Sequence, residues 1–342
     1  MVHLRIVVPS HQSGHALDLL QNTPSACNLI FFERAAKRPE GDVILVDVAR
    51  EDASVIVSDL RELEIDKEGS IAMEDIDSQI SEVADRAEKA ASGLPSDAVV
   101  WEEVESRTSE NVELSGSFLA FMVVATLIAA VGILTDQLIL IIGAMVVGPE
   151  FGPLAGLCVA LVHKRGDLVR RSLTALAVGF PVAIGASLLF TLALDLAGLI
   201  PGDFSQDDHP FTDFISRPDH FTAIVASLAG MAGVLSLTSA KSGALVGVLI
   251  SVTTIPAAAN IGVAAALGDD EAVGAIAQLA INLSAIVLAG VAVLFIQRRI
   301  YMRRRRSHLD HKAREAAGLP LGHSRREGSA TYRRPDENGE RR

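Results

Sequence analysis

Apolar residues dominate the chain from about residue 115 to residue 297, where nearly uncharged runs of about 18 residues or more recur. Runs of that length are typical of transmembrane helices, whereas the buried helices of soluble proteins are shorter or amphipathic. The pattern predicts a polytopic α-helical membrane domain over residues 114–297. Its six predicted spans are 115–134, 138–162, 172–199, 222–239, 243–267 and 273–297.

The charges between the spans alternate. The connections at 163–171 and 240–242 and the segment from Arg298 carry nearly all of the lysine and arginine, whereas the intervening loops carry only Arg217. Because positively charged loops stay in the cytoplasm, this pattern predicts an inner-membrane protein with both termini cytoplasmic. Six spans satisfy the alternation, and five or seven do not.

The polar first third of the chain has a different periodicity. β-branched runs (VHLRIVVP, NLIFFE, DVILVDVA and GSIAMEDI) alternate with segments that carry apolar residues at helical spacing. The order βαββαβ predicts a small α+β domain of the ferredoxin-like type over residues 1–78, on the cytoplasmic side.

Two polar segments flank the membrane domain. Residues 79–113 predict a helical, amphipathic connector in two pieces, with Trp101 at the membrane interface. Residues 298–342 are rich in arginine and lack apolar periodicity, which predicts a disordered basic tail that anchors the topology, with binding of anionic lipid as an alternative.

Composition narrows the function further. Residues 1–113 contain 24 acidic and 10 basic residues, so nucleic acid is not an expected partner. Two cysteines exclude a disulfide scaffold. The N-terminus MVHLRIVVPS lacks the features of a signal peptide. Because no nucleophile elbow, phosphate loop or metal-ligand spacing occurs, we expect neither an enzyme nor a cofactor or metal.

The membrane domain contains a weak internal repeat. An offset of about 103 residues aligns Pro153 with Pro256 and carries the first three spans onto the last three. Each half has an odd number of spans, so the second half must enter the membrane from the opposite side. Such a 3+3 inverted repeat is typical of transporters, whose sites lie near the bilayer midplane at interrupted helices.

The interrupted helices predict the site. Two Gly-Pro pairs should break span two, since each proline removes a backbone hydrogen bond. A carboxylate at that depth indicates a proton, cation or substrate position, although a structural pairing or a place near the surface is the open alternative for Glu150. Polar oxygens beside Pro256 could add ligands, although serine and threonine often only bond the preceding turn. The candidate residues are Gly148, Pro149, Glu150, Gly152 and Pro153 in span two, and Thr253, Thr254, Pro256 and Asn260 in span five.

Three strings carry a family resemblance: IIGAMVVGPEFGPLAGL, SLTSAKSGALVGVLISVTTIPAAANIGVAAALGD and INLSAIVLAG. The chain resembles bacterial membrane proteins of the family known as domain of unknown function 389, over about residues 1–297. The resemblance implies membrane location and no assigned chemistry. Other members look as though they carry Ser-Pro-Leu-Met-Gly-Pro where this chain has residues 148–153, so a role for Glu150 would be specific to a subgroup.

Two functions follow as hypotheses. The first is a secondary transporter or channel-like permease for an unidentified ion or small solute, with a cytoplasmic regulatory domain. The alternative is a membrane-anchored sensor or signalling scaffold whose ferredoxin-like domain binds a small ligand. The implied partners are the lipid bilayer, the solute or ion and, as an open alternative, further copies of the chain.

Overall fold

The computed structural model describes residues 1–91, 93, 98–200, 220–239, 254–268, 271–309 and 311–322. The chain divides into two units. We call Met1–Glu105, Thr238–Lys241 and Gln297–Arg342 the N-terminal unit, and Ser106–Leu237 with Ser242–Ile296 the membrane unit. Each is described by itself.

A four-stranded antiparallel sheet forms one layer of the N-terminal unit. Its strands are β1 (Val2–Val8), β2 (Ala26–Lys37), β3 (Glu40–Val48) and β4 (Ser70–Asp75), in the spatial order β2-β3-β1-β4. Each of the four β-branched runs of the sequence overlaps one of these strands and extends at most one residue beyond it at either end. Alternation along β1 and β3 buries one face, and leaves residues such as Arg5 and Leu45 on the other.

Helices cover the buried face of the sheet. They are α1 (Ser13–Gln21), α2 (Arg50–Glu62) and the short α3 (Ile65–Glu68). Apolar residues at helical spacing on α1 and α2 complete one core with the strands. Its fully buried members include Leu4, Ile6, Leu19, Ile44, Ile56 and Leu60.

The connector forms two helices, α4 (Glu82–Ala90) and α5 (Trp101–Asn111). Ser81 starts α4, because its hydroxyl accepts a hydrogen bond from the Ala84 N–H at 3.3 Å. Trp101 is buried within the N-terminal unit, edge-on to Tyr301 with ring centroids 6.2 Å apart. The ring is enclosed by protein, and its position relative to the membrane stays a prediction.

The membrane unit consists of apolar helices. They are α6 (Gly116–Leu134), α7 (Leu138–Val147), α8 (Phe151–His163), α9 (Gly166–Leu196), α10 (His220–Thr238), α11 (Ile255–Leu267) and the beginning of α12 (Glu271–His308). Among the described residues, four helices are long and apolar enough to cross a membrane, namely α6, α9, α10 and α12, and the bent pair α7–α8 can count as a fifth. The chain is therefore a membrane protein by the character of its helices.

Six spans are not established by these helices. The predicted fifth span, 243–267, lies outside the described residues up to residue 253, and its described part, α11, has 13 residues. A helix of that length rises about 20 Å, which is shorter than the hydrocarbon core of a bilayer.

The C-terminal segment differs from its prediction. The last membrane helix does not end near residue 297 but continues to His308, and a further helix, α13 (Lys312–Ala316), follows. Ala313, Ala317 and Leu319 belong to the core of the N-terminal unit. The prediction of a disordered tail is therefore wrong for 298–309 and 311–322, and residues 323–342 lie outside the described part of the chain.

Buried ion pairs hold this segment to α2. Arg314 donates to Asp59 and, at 2.9 Å, to Glu62, while Arg305 donates to the other oxygen of Glu62 at 3.1 Å. His308 lies 3.0 Å from Asp59. We call residues 297–309 and 311–322 the C-terminal strap.

Candidate functional site

The second predicted span is broken in the middle. α7 ends at Val147 with Gly148 as its C-cap, Pro149 follows, and α8 begins after Glu150. The two helices are bent by 54°. Pro149 cannot donate the hydrogen bond that would continue α7, and Pro153 is accepted in the first turn of α8, where no such bond is needed.

A second short helix begins in the same way. α11 starts after Thr254 and has Pro256 in its first turn. α8 and α11 both contain 13 residues, and both end at a residue in the left-handed conformation, Lys164 and Gly268 respectively. The sequence predicted two interruptions from their prolines. The break between α7 and α8 confirms the first; α11 begins at the second, but the residues before Thr254 lie outside the described part of the chain, so the interruption of span five stays a prediction.

The two helix starts meet at one hydrogen bond. The Thr254 hydroxyl donates to a carboxylate oxygen of Glu150 at 2.8 Å, and both side chains are fully buried. Each residue is the N-cap of its helix, yet neither side chain caps its own helix. The side chains that would ordinarily satisfy the first backbone N–H groups of α8 and α11 contact each other instead.

This geometry favours negative charge. The N-terminus of a helix carries about half a positive elementary charge, from N–H groups that have no partner within the helix. Two such ends lie beside one carboxylate at Glu150. An ionised Glu150 is therefore stabilised by both helices and by the Thr254 hydroxyl, which offsets part of the cost of burying it.

α11 is surrounded by protein. Ten consecutive residues, Ile255 to Ala264, are buried, so no face of this stretch is exposed. A Cβ on Gly262 would lie 2.6 Å from the Cβ of Ser187 on α9, and the Ser187 hydroxyl donates to the Ala259 carbonyl at 2.9 Å. This close contact holds α11 against α9. Nothing in the sequence pattern predicted it.

α8 is held from its other side by the chain that precedes α6. A Cβ on Gly152 would lie 2.5 Å from the carbonyl oxygen of Asn111, and one on Gly156 would lie 2.2 Å from a methyl group of Val112. The glycine of the second Gly-Pro pair is thus required for close packing. Sequence reasoning missed Asn111 and Val112, which carry no motif.

The predicted site residues have these positions. Glu150 and Thr254 are in contact, Gly148 and Pro149 form the break, and Gly152, Pro153 and Pro256 lie in the first turns of the two short helices. Asn260 is buried on α11. Thr253 lies outside the described residues. No cluster of metal-binding side chains occurs in the described part of the chain.

Residues 145–288 match the model of the family described as Domain of unknown function (DUF389). The family resemblance is confirmed over these residues, which are part of the range 1–297 expected from the sequence. The DUF389 match begins within α7 and ends within α12, and it therefore contains both helix starts, Glu150 and Thr254.

A curated relative and the solved structures complete the comparison. The chain is 29% identical over 196 residues to Uncharacterized protein MJ0678 of Methanocaldococcus jannaschii. The alignment covers 56% of this chain and 58% of that relative, so this chain spans less than two thirds of the relative's length. No solved structure matches the chain significantly.

Proposed function

We propose that the protein is a secondary transporter or channel-like permease for an ion or small solute. The observation that carries the proposal is the hydrogen bond between Glu150 and Thr254, buried at the starts of two short helices. Transporters commonly bind solutes and ions at such discontinuous helices, where the backbone leaves hydrogen-bonding groups without a partner in the helix.

The proposal includes an inverted 3+3 repeat, which matching helix lengths and intervals support. α6 and α10 contain 19 residues each, α8 and α11 contain 13 each, and in both pairs the second helix begins 104 residues after the first. This interval differs by one residue from the offset expected from aligned prolines. Six spans, three in each half, are part of the same proposal.

Glu150 is the proposed coupling group. The negative charge of its carboxylate offsets the partial positive charges at the N-termini of α8 and α11. Protonation of Glu150 would leave those partial charges uncompensated. A bound proton would thereby change the affinity of the site for an anionic group, and the displacement of Glu150 by such a group would change its affinity for the proton.

Flux measurements test the proposal. The full chain is reconstituted in liposomes, and proton, Na⁺, K⁺ and Cl⁻ fluxes are recorded for the native protein and for Glu150→Gln and Thr254→Val. We expect flux of at least one of these ions, reduced about tenfold or more in Glu150→Gln, because one charge at the site is worth at least that factor. Asp195→Asn, an exposed carboxylate near the end of α9, is the matched control and should leave the flux unchanged.

Equal flux through the native protein and both site variants would contradict the role of Glu150 and Thr254. No flux of any ion, in protein shown to be folded, would contradict transport of these ions as a whole.

The second candidate function is a membrane-anchored sensor. A ferredoxin-like regulatory domain is supported by the strand order β2-β3-β1-β4. It is also supported by helices α1 and α2, which lie between β1 and β2 and between β3 and β4 along the chain. A cavity of about 490 Å³ lies in the N-terminal unit, and its lining includes His11, Gln12, His15 and Gly318. Such a cavity has the size of a small-ligand site.

A thermal-shift screen of the full chain tests this candidate, because the C-terminal strap is part of the same unit. Stabilisation by one metabolite, lost in His15→Ala, would favour the sensor. Retention of the protein's cellular function in the Glu150→Gln variant would favour the sensor further.

We propose an inner-membrane location with both termini cytoplasmic and no enzymatic activity for either function. A complex of several identical chains is compatible with both.

A further inference from the structure

The arginine-rich end of α12 has two faces. Residues 298–306 contain six arginines, and no acidic residue occurs from 298 to 308. Arg305 is only 6% exposed and binds Glu62, and Arg304 donates to the backbone carbonyl of Glu51 at 2.8 Å. This face of the helix, which also carries the buried Tyr301, packs against α2 within the N-terminal unit.

The opposite face is exposed. Arg299, Arg303 and Arg306 are spaced at i, i+4 and i+7, so their side chains lie along one line on the helix. Ile300 beside them is 63% exposed. We call Arg299, Arg303 and Arg306, with Ile300, the arginine stripe.

The stripe continues an apolar face of the same helix. Leu288, 71% exposed, and Phe295, 54% exposed, precede Arg299 at the same helical spacing. With a rise of 1.5 Å per residue, the stripe covers the segment from about 6 to about 17 Å beyond Phe295. The headgroup layer adjoins the hydrocarbon core over this range.

We infer that the arginine stripe binds the headgroups of anionic phospholipids. Guanidinium groups donate several hydrogen bonds in a plane and match phosphate oxygens. An exposed isoleucine among the arginines suits a surface that is partly apolar, as the outer part of a bilayer is. Clusters of arginine directly after a membrane helix attract anionic lipid, at about fivefold in affinity for each residue.

Orientation of the chain alone does not require this arrangement. Arginines of the buried face contribute positive charge to the same end of α12, and they would satisfy a requirement for positive charge in the cytoplasm equally well. A line of three outward-pointing arginines instead matches a negatively charged surface that runs along the helix.

Lipid retention by the full chain tests the inference. The purified protein is stripped of lipid in a neutral detergent and mixed with equal amounts of phosphatidylglycerol and phosphatidylcholine. The lipids retained are then counted by native mass spectrometry. We expect the native protein to prefer phosphatidylglycerol by about tenfold or more, and Arg299→Gln with Arg303→Gln and Arg306→Gln to lose most of that preference.

Two further variants separate charge from folding. Replacement of the same three arginines by lysine keeps the charge and should keep most of the preference. Replacement of three exposed basic residues on or next to β2, Arg34, Lys37 and Arg38, by glutamine removes the same charge elsewhere and should change nothing.

Three results would overturn the inference. They are equal retention of both lipids by the native protein, an unchanged preference in the glutamine variant, and an equal loss of preference in the β2 control. Displacement of phosphatidylglycerol by 10 mM inorganic phosphate would assign the stripe to free anions instead of lipid.

Discussion

Arg314 shows how a polar residue can determine the fold of a segment. Its side chain has no exposed surface, and it donates to Asp59 and Glu62, which lie about 250 residues earlier in the chain. Removal of one partner from a buried ion pair costs about 3–5 kcal/mol, because the remaining charge loses its compensation.

We expect Arg314→Met to destabilise the N-terminal unit by about 3 kcal/mol, the lower end of that range, because Arg305 still binds Glu62 and His308 still contacts Asp59. The single tryptophan of the chain, Trp101, is buried in this unit, so its fluorescence on heating or in denaturant measures the effect. Lys312→Met, an exposed position on the same helix, should change the free energy of unfolding by less than about 0.5 kcal/mol. Similar values for both variants would mean that the ion pairs do not hold the strap.

The buried carboxyl group of Glu51 predicts that the stability of the N-terminal unit depends on pH. Burial raises the pKa of its carboxyl group, and a hydrogen bond from its own backbone N–H and the charge of Arg304 only partly oppose this. Because the pKa is higher in the folded than in the unfolded state, the folded protein binds the proton more tightly. Its stability therefore falls as the pH rises above the ordinary pKa of glutamic acid.

Glu51→Gln removes this penalty. We expect the variant to melt above the native protein at pH 8, and the difference to decrease as the pH approaches 4.5. Trp101 fluorescence measures both proteins, and Glu74→Gln, which removes an exposed carboxylate from the same unit, is the control. A difference that is the same at both pH values for Glu51→Gln would contradict the assignment.

At the scale of elements, glycines determine how closely the membrane helices pack. A Cβ on Gly262 would lie 2.8 Å from the backbone of Ile184 and Leu188 as well as against Ser187. A Cβ on Gly185, on α9, would meet nothing within 4 Å. The same substitution should thus have opposite effects on two neighbouring helices.

We expect Gly262→Ala to destabilise the protein by about 1–3 kcal/mol, because α11 and α9 must separate. Gly185→Ala should be neutral or stabilising by up to about 1 kcal/mol, since alanine favours the helix. Thermal unfolding in detergent, followed by circular dichroism, measures both. A stabilising Gly262→Ala would show that the two helices are less closely packed than described.

The elements also show what the sequence could predict. Paired Gly-Pro signals located the break at residues 148–150, and strand periodicity located all four strands. The sequence pattern could not show whether Thr253 or Thr254 contacts Glu150. The two are adjacent and of the same residue type, so the pattern does not say which of them faces the glutamate. The strap was missed because Asp59 and Arg314 form a contact across 255 residues and leave no periodic signal.

The whole molecule raises the question of how many times the chain crosses the bilayer. Six crossings would place Asp136 and Gly268 on the outside, and Lys164 and Arg306 on the inside. The two native cysteines, Cys27 and Cys158, are buried, so labelling of introduced cysteines is not dominated by them.

We expect Asp136→Cys and Gly268→Cys to react with a membrane-impermeant maleimide in intact cells. Lys164→Cys and Arg306→Cys should react only after the membrane is opened. The two inner positions serve as controls for the outer ones. Labelling of Gly268→Cys only in opened cells would mean that α11 does not belong to a complete span and that the 3+3 repeat is wrong.

The bond between Glu150 and Thr254 also bears on the origin of such a chain. If the two halves descend from one duplicated segment, the unfused ancestor paired with itself and placed the same residue opposite itself at this point. Two carboxylates there would repel each other, and two threonines would carry no charge. A glutamate that faces a threonine could arise only once the segment had been duplicated and the two copies could mutate independently.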